Sequence, residues 1–189
     1  MHTLSIQQLQ ELRLAIFDNA EALHGEASLL LQNGMYSRAY LLAHFCFEEL
    51  GKIPIVFQVA ALLERGEQVE WKKVKKSFLN HEDKIASQNG HFYAFGRGSD
   101  FDNDDNLQWL INANRAVSES YMKKNLSTYV DARQGRMLRP ASEIQKEDAE
   151  KLVSLASKCL RAHLRSESLT NPIIYEAEER EQSKRDNLK

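Results

Sequence analysis

The octapeptide FEELGKIP, Phe47 to Pro54, places Glu48, Glu49 and Lys52 inside one of the most apolar stretches of the chain. Further along, HEDK, His81 to Lys84, sets an imidazole and an ammonium group at the i, i+3 spacing that shares one helix face. Carboxylate, imidazole and ammonium groups together are the ingredients of proton transfer: neighbours tune the imidazole, the imidazole takes a proton, and ammonium groups stabilise a developing anion. The same groups can form a structural ion-pair network, because a carboxylate half buried between helices must find donors. Two Glu and one His are also possible metal ligands, but Lys52 and Lys84 would repel a cation, so neither a metal nor a cofactor is expected.

These residues need helices to bring them together. With 8 Gly and 3 Pro in 189 residues, and apolar residues recurring at three and four positions, the sequence reads as all-α: a compact antiparallel bundle of about five helices with no strand alternation. Ser5 caps a first helix to about Gln32, and Gly34 marks its stop. A second runs from Arg38 to about Glu64 with Ala39, Ala43, Cys46, Leu50, Ile53 and Phe57 as its apolar stripe. At about 100° per residue Glu49 flanks that stripe with Lys52, whereas Glu48 faces away and can pair with Lys52. Glu49 is therefore the expected buried carboxylate. Gly51 allows a neighbour to pack closely, and Pro54 predicts a kink between Leu50 and Pro54. The third helix spans about Val69 to Ser87, with Trp71, Val74, Phe78 and Ile85 inward. The fourth spans about Leu107 to Tyr129, the loop DARQGRMLRP follows, and the fifth runs from Ser142 or Glu147 to about Arg165. Residues equidistant from a hairpin turn sit at one level, which predicts a layer of Asn19, Glu48 or Glu49, Lys52, His81 and Lys84.

Composition limits the partners. Lys and Arg total 25 against 27 Asp and Glu, a formal net charge of −2, so no global basic field holds nucleic acid and any polyanion site must be local. Arg133, Arg136 and Arg139 form one candidate patch, with an ordinary solvated loop as the alternative. Asp100, Asp102 and Asp104 have calcium-loop spacing, but Asp105 and Ile111 stand where the loop needs glycine and glutamate, which leaves a solvated loop. Cys46 and Cys159 read as small buried apolar residues of a reduced compartment. No basic start with an apolar run opens the sequence and no stretch of about 18 apolar residues exists, so a cytoplasmic protein without membrane contact is expected. One domain over residues 1–170 and a charged tail over 171–189, frayed or disordered, complete the expectation.

The run NAEALHGEASLLLQNGMYSRAYLLAHFCFEELGK, Asn19 to Lys52, followed by HEDK and by LSTYVD before Pro140, resembles the AbiV family of bacterial abortive-infection proteins, grouped with the HEPN superfamily of small helical domains. The matching polar and glycine positions are Asn19, Glu48, Glu49, Gly51, Lys52, His81 and Lys84. The resemblance implies a HEPN-like bundle, a homodimer and antiphage defence. HEPN domains are often metal-independent endoribonucleases with an arginine and a histidine at R-x4-6-H spacing, and Arg38 with His44 is such a match. Those two side chains lie about 120° apart on a helix, which favours His81, Lys84, Lys52 and Glu49 as the catalytic candidates. Asn19, Glu48, Arg38 and Arg136 are the binding candidates. Two functions follow as alternatives: a toxin-like ribonuclease or translation-blocking factor acting on RNA, or a non-catalytic module that arrests growth by binding a phage or host protein.

Overall fold

The computed structural model describes residues 3–96 and 104–170. The described residues form α1 (Ile6–Gln32), α2 (Tyr36–Leu50), α3 (Lys52–Glu64), α4 (Trp71–Leu79), α5 (His81–Phe95), α6 (Asp104–Arg115), α7 (Val117–Thr128), β1 (Asp131–Arg133), β2 (Arg136–Leu138), α8 (Pro140–Glu143) and α9 (Lys146–Thr170). Asp100 and Asp102 of the acidic segment, and the tail 171–189, lie outside the described residues.

The first helix forms where the capping residues predict. Ser5 Oγ accepts from the Gln8 amide at 3.2 Å and Gln8 Oε1 accepts from the Ser5 amide at 2.9 Å, a reciprocal box that satisfies two orphan donors. Gly34 adopts φ 73° just beyond Asn33, the left-handed turn that sends the chain back antiparallel. Helix α2 then becomes the axis of the fold, touching α1, α3, α5, α7, α8 and α9. Ala20 and Ala27 of α1, Ala39 and Ala43 of α2 and Ala156 of α9 are fully buried, so small side chains set these helices close together.

The bundle has eight helices of nine residues or more among the described residues, not about five, and the difference has one origin. Each of the three middle helices expected from the sequence is broken once. The second breaks at Gly51, where a Cβ would stand 2.0 Å from the backbone oxygen of Lys84; the backbone of α5 passes too close for any side chain. Pro54 consequently falls in the first turn of α3, where its missing N–H costs no helical bond. The third breaks at Asn80, whose ψ of 121° is extended and whose Oδ1 accepts from the amides of Glu82 (2.8 Å) and Asp83 (3.1 Å). The fourth breaks at Ala116.

A second departure is the hairpin in the expected loop. β1 and β2 pair antiparallel with Arg133 opposite Arg136, joined by Gln134 (φ 51°) and Gly135 (φ 76°). Two successive positive φ values match the right-handed twist of a two-residue hairpin, and glycine at the second supplies one without strain. No described helix is long and apolar enough to cross a membrane.

Candidate functional site

One carboxylate organises the centre of the molecule. Glu48, only 3 % exposed, projects from α2 into the space between α5 and α7. Its Oε2 accepts from His81 Nδ1 at 2.6 Å and pairs with Lys84 Nζ at 2.7 Å, while Oε1 accepts from Lys124 Nζ at 3.1 Å. His44 Nδ1 lies 3.2 Å from Oε1, an ion-pair distance without hydrogen-bond alignment. Burial alone would push the Glu48 carboxyl up, but His44, Lys84 and His81 outweigh it and hold the group well below the usual carboxylate range. Glu48 is thus ionised, and two buried lysines face one buried carboxylate.

The surroundings fix each partner. Asn80 caps α5 so that His81 and Lys84 project from its first turn, and the close passage at Gly51 brings that turn against α2. From α7, Lys124 also lies 3.3 Å from His81 Nδ1, with its ammonium 4.5 Å from the Tyr121 ring centroid and 5.8 Å from that of Phe45. The His81 and Tyr121 rings are 5.1 Å apart. His44 Nε2 reaches Ser120 Oγ at 3.1 Å, and Ser120 also bonds Tyr40, whose hydroxyl burial pushes up to about 12. A polar chain therefore runs from His81 through Glu48, His44 and Ser120 to Tyr40. Only its first member reaches solvent to a large extent: the His81 side chain is 39 % exposed.

This layer corrects several sequence expectations. The buried carboxylate is Glu48; Glu49 is half-buried and pairs with Lys52 beside the layer. A helical wheel with one apolar stripe assumes one solvent face, whereas α2 is enclosed on nearly all sides, and its second buried face carries Tyr40, His44 and Glu48 at i, i+4 spacing. Asn19 is exposed on α1 and outside the layer, because counting from a turn fixes height along a helix but not direction around it. Arg38 is exposed while His44 is buried, so the two do not share a face, yet His44 belongs to the Glu48 cluster. Arg136 is paired with Glu143 at 3.0 Å and Arg133 with Asp131 at 2.7 Å, so two of the three arginines in the candidate patch are already bridged. Lys124 and Ser120 were not candidates; their i, i+4 spacing on α7 was the available signal.

A second polar group lies between α5 and α9, built on buried His163 and half-buried His91. The rings of His91 and His163 stack at 3.7 Å and 7°. His163 Nε2 meets Gln88 Oε1 at 2.8 Å, and His91 Nε2 meets Ser166 Oγ at 3.0 Å. Burial lowers His91 to about 4 and His163 well below the usual histidine range, so both rings are neutral at pH 7. Cys46 and Cys159 are buried free thiols, each pushed up to about 12 by burial. Among the described residues no group of three or more His, Cys, Asp or Glu is arranged to hold a metal ion, and at Glu48 a cation would meet two ammonium groups.

Comparison with known proteins matches residues 8–161 to the family model described as AbiV, of the HEPN group. No curated protein and no solved structure matches the chain.

Proposed function

Because the chain belongs to the AbiV family of HEPN domains, we propose that it is a bacterial abortive-infection protein that cleaves RNA without a metal, with His81 as the proton acceptor. The observation that carries this reading is the 2.6 Å contact by which buried Glu48 holds Nδ1 of a ring that remains 39 % exposed. An ionised carboxylate only accepts, so Nδ1 carries the proton and the basic lone pair of neutral His81 lies on Nε2. That nitrogen can take the proton of a ribose 2′-hydroxyl; the oxygen then attacks the adjacent phosphorus, the P–O5′ bond breaks, the departing 5′-oxygen takes a proton from solvent water, and a 2′,3′-cyclic phosphate remains while the imidazolium returns its proton to solvent. Glu48 stabilises the imidazolium, and Lys84 with Lys124 leave the cluster cationic where phosphate charge develops. Lys52, committed to Glu49, has no part in this step.

The test incubates the purified chain and a His81→Ala variant with total RNA and a defined mRNA. Cleavage that falls at least about a hundredfold in a variant with an unchanged melting curve supports the reading. Cleavage retained by the variant, or an inert wild type whose expression still arrests growth, overturns it. Homodimerisation belongs to the same proposal, and sedimentation at micromolar concentration tests it.

The burial of both Lys84 and Lys124 on Glu48 also suits a purely architectural cluster, which favours a second reading: a non-catalytic module that binds a phage or host protein. Exposed Tyr129, Val130 and Met137 at the hairpin would then carry the contact. Growth arrest that survives His81→Ala but is lost in Met137→Asp is its expected outcome.

A further inference from the structure

Helix α4 is the most one-sided charge distribution among the described helices. Its sequence WKKVKKSFL holds four lysines and no acid in nine residues. Trp71, Val74 and Phe78 anchor it on the core, and the lysines occupy the opposite arc, all exposed. Lys73 is neutralised by Glu70 at 2.7 Å. Lys72, Lys75 and Lys76 have no carboxylate partner among the described residues, and at i, i+3 and i, i+4 spacing they repel one another. A helix this short has little intrinsic stability to spend on like-charge repulsion, and a bound polyanion would relieve it.

Position gives the strip its meaning. Asn80 alone separates α4 from His81, the first residue of α5, so five residues of chain keep the Cα atoms of Lys76 and His81 within about 18 Å of each other. Glu82 and Asp83 in the first turn of α5 mark the acidic boundary of the strip, and Glu82 is engaged by Ser118 at 3.3 Å. We propose that Lys72, Lys75 and Lys76 form a phosphate-binding track for single-stranded RNA that leads to His81. For the identity of the polyanion the proposal rests on the RNA-directed reading above, but it does not require cleavage. Flexible ammonium groups along one helix face suit a backbone whose phosphates recur, and they read no base, so the track is sequence-tolerant.

The experiment measures binding of a labelled, mixed-sequence single-stranded RNA to the full chain carrying His81→Ala, which keeps the probe intact, across a salt series. The same background with Lys72→Gln, Lys75→Gln and Lys76→Gln is compared after its melting curve has been matched. At roughly 0.7 in the log-log salt slope per phosphate contact, loss of three contacts makes the slope shallower by about 2 and binding at 0.1 M salt about a hundredfold weaker, with affinity at 1 M unchanged. An unchanged slope, no RNA binding at low salt, or competition by polyglutamate as effective as by RNA overturns the track. Strip-dependent binding by a wild-type chain that cleaves nothing would support the track while the cleavage reading fails.

Discussion

Replacing Glu48 with glutamine keeps the side chain's shape and removes the charge that four partners share. Lys84 and Lys124 are both buried, with side chains 9 % and 7 % exposed. The substitution therefore leaves two ammonium groups in the interior facing an amide, and removing one partner of a buried pair costs about 3 to 5 kcal/mol. Two stranded lysines place the expectation at the upper part of that range. For a domain of this size each kcal/mol shifts the melting midpoint by about 2 to 4 °C, so the variant should melt roughly 10 to 20 °C lower. Glu49→Gln is the internal control: it removes a charge one residue away, from a half-buried pair with Lys52, and should cost only about 1 kcal/mol. Lys124→Met in the Glu48→Gln background should recover part of the loss by removing one stranded charge, giving a favourable coupling in a double-mutant cycle. Urea denaturation of five proteins, the wild type, Glu48→Gln, Glu49→Gln, Lys124→Met and the Glu48→Gln/Lys124→Met double variant, measures the free energies, and thermal melts give the midpoints. Equal losses for Glu48→Gln and Glu49→Gln, or no coupling to Lys124, would refute the assignment of Glu48 as the buried hub.

The stacked pair of half-buried His91 and buried His163 makes the fold acid-sensitive above the carboxylate range. His91 sits near 4 in the folded chain against an ordinary 6.5, so between those values the unfolded state binds the proton that the folded state refuses. Stability must then fall as pH drops, by about 2 kcal/mol between pH 7 and 5 from His91 alone, with His163 acting in the same direction. Glu48, lowered in the fold, adds its loss only below about pH 4.5; denaturation midpoints that stay flat from pH 7 to 5, or an unchanged slope in His91→Gln, would contradict this. Gly51→Ala should cost about 3 kcal/mol because its methyl group collides with the Lys84 backbone, and a melting curve like the wild type's would show that α5 can retreat freely. Asn80→Ala removes two capping bonds and should cost about 1 kcal/mol, measured by the same melts, with Asn80→Asp restoring most of it.

Much of this arrangement was legible in the residues, for reasons that also explain the rest. The Ser5 box and the Gly34 turn are local chemistry, so α1 reads directly from sequence. Hairpin counting put HEDK at the level of Glu49 and Lys52, and the close passage of Gly51 against Lys84 does bring HEDK against FEELGK. The break at Asn80 had a signal in the run Asn-His-Glu-Asp, a capping side chain ahead of two acids, but continuous apolar spacing masked it. At Ala116 no residue type announces a break. The choice between Glu48 and Glu49 depended on how many helices enclose α2, which is a tertiary property. Lys124 stands beside Lys123 in α7, and nothing local says that one is buried on Glu48 while the other reaches Asp148 at 2.6 Å.

The hub at Glu48 also carries a timetable. Its ligands come from positions 44, 81, 84 and 124, so the carboxylate acquires its last ammonium group only after chain far from it has been made and folded back. Contacts of such separation close late, because chain closure must precede them. A growing polypeptide that ends before α7 contains Glu48, His81 and Lys84 but lacks Lys124, Ser120 and Tyr121. Whatever chemistry or recognition resides in this layer is therefore withheld from the nascent chain until α7 has been made.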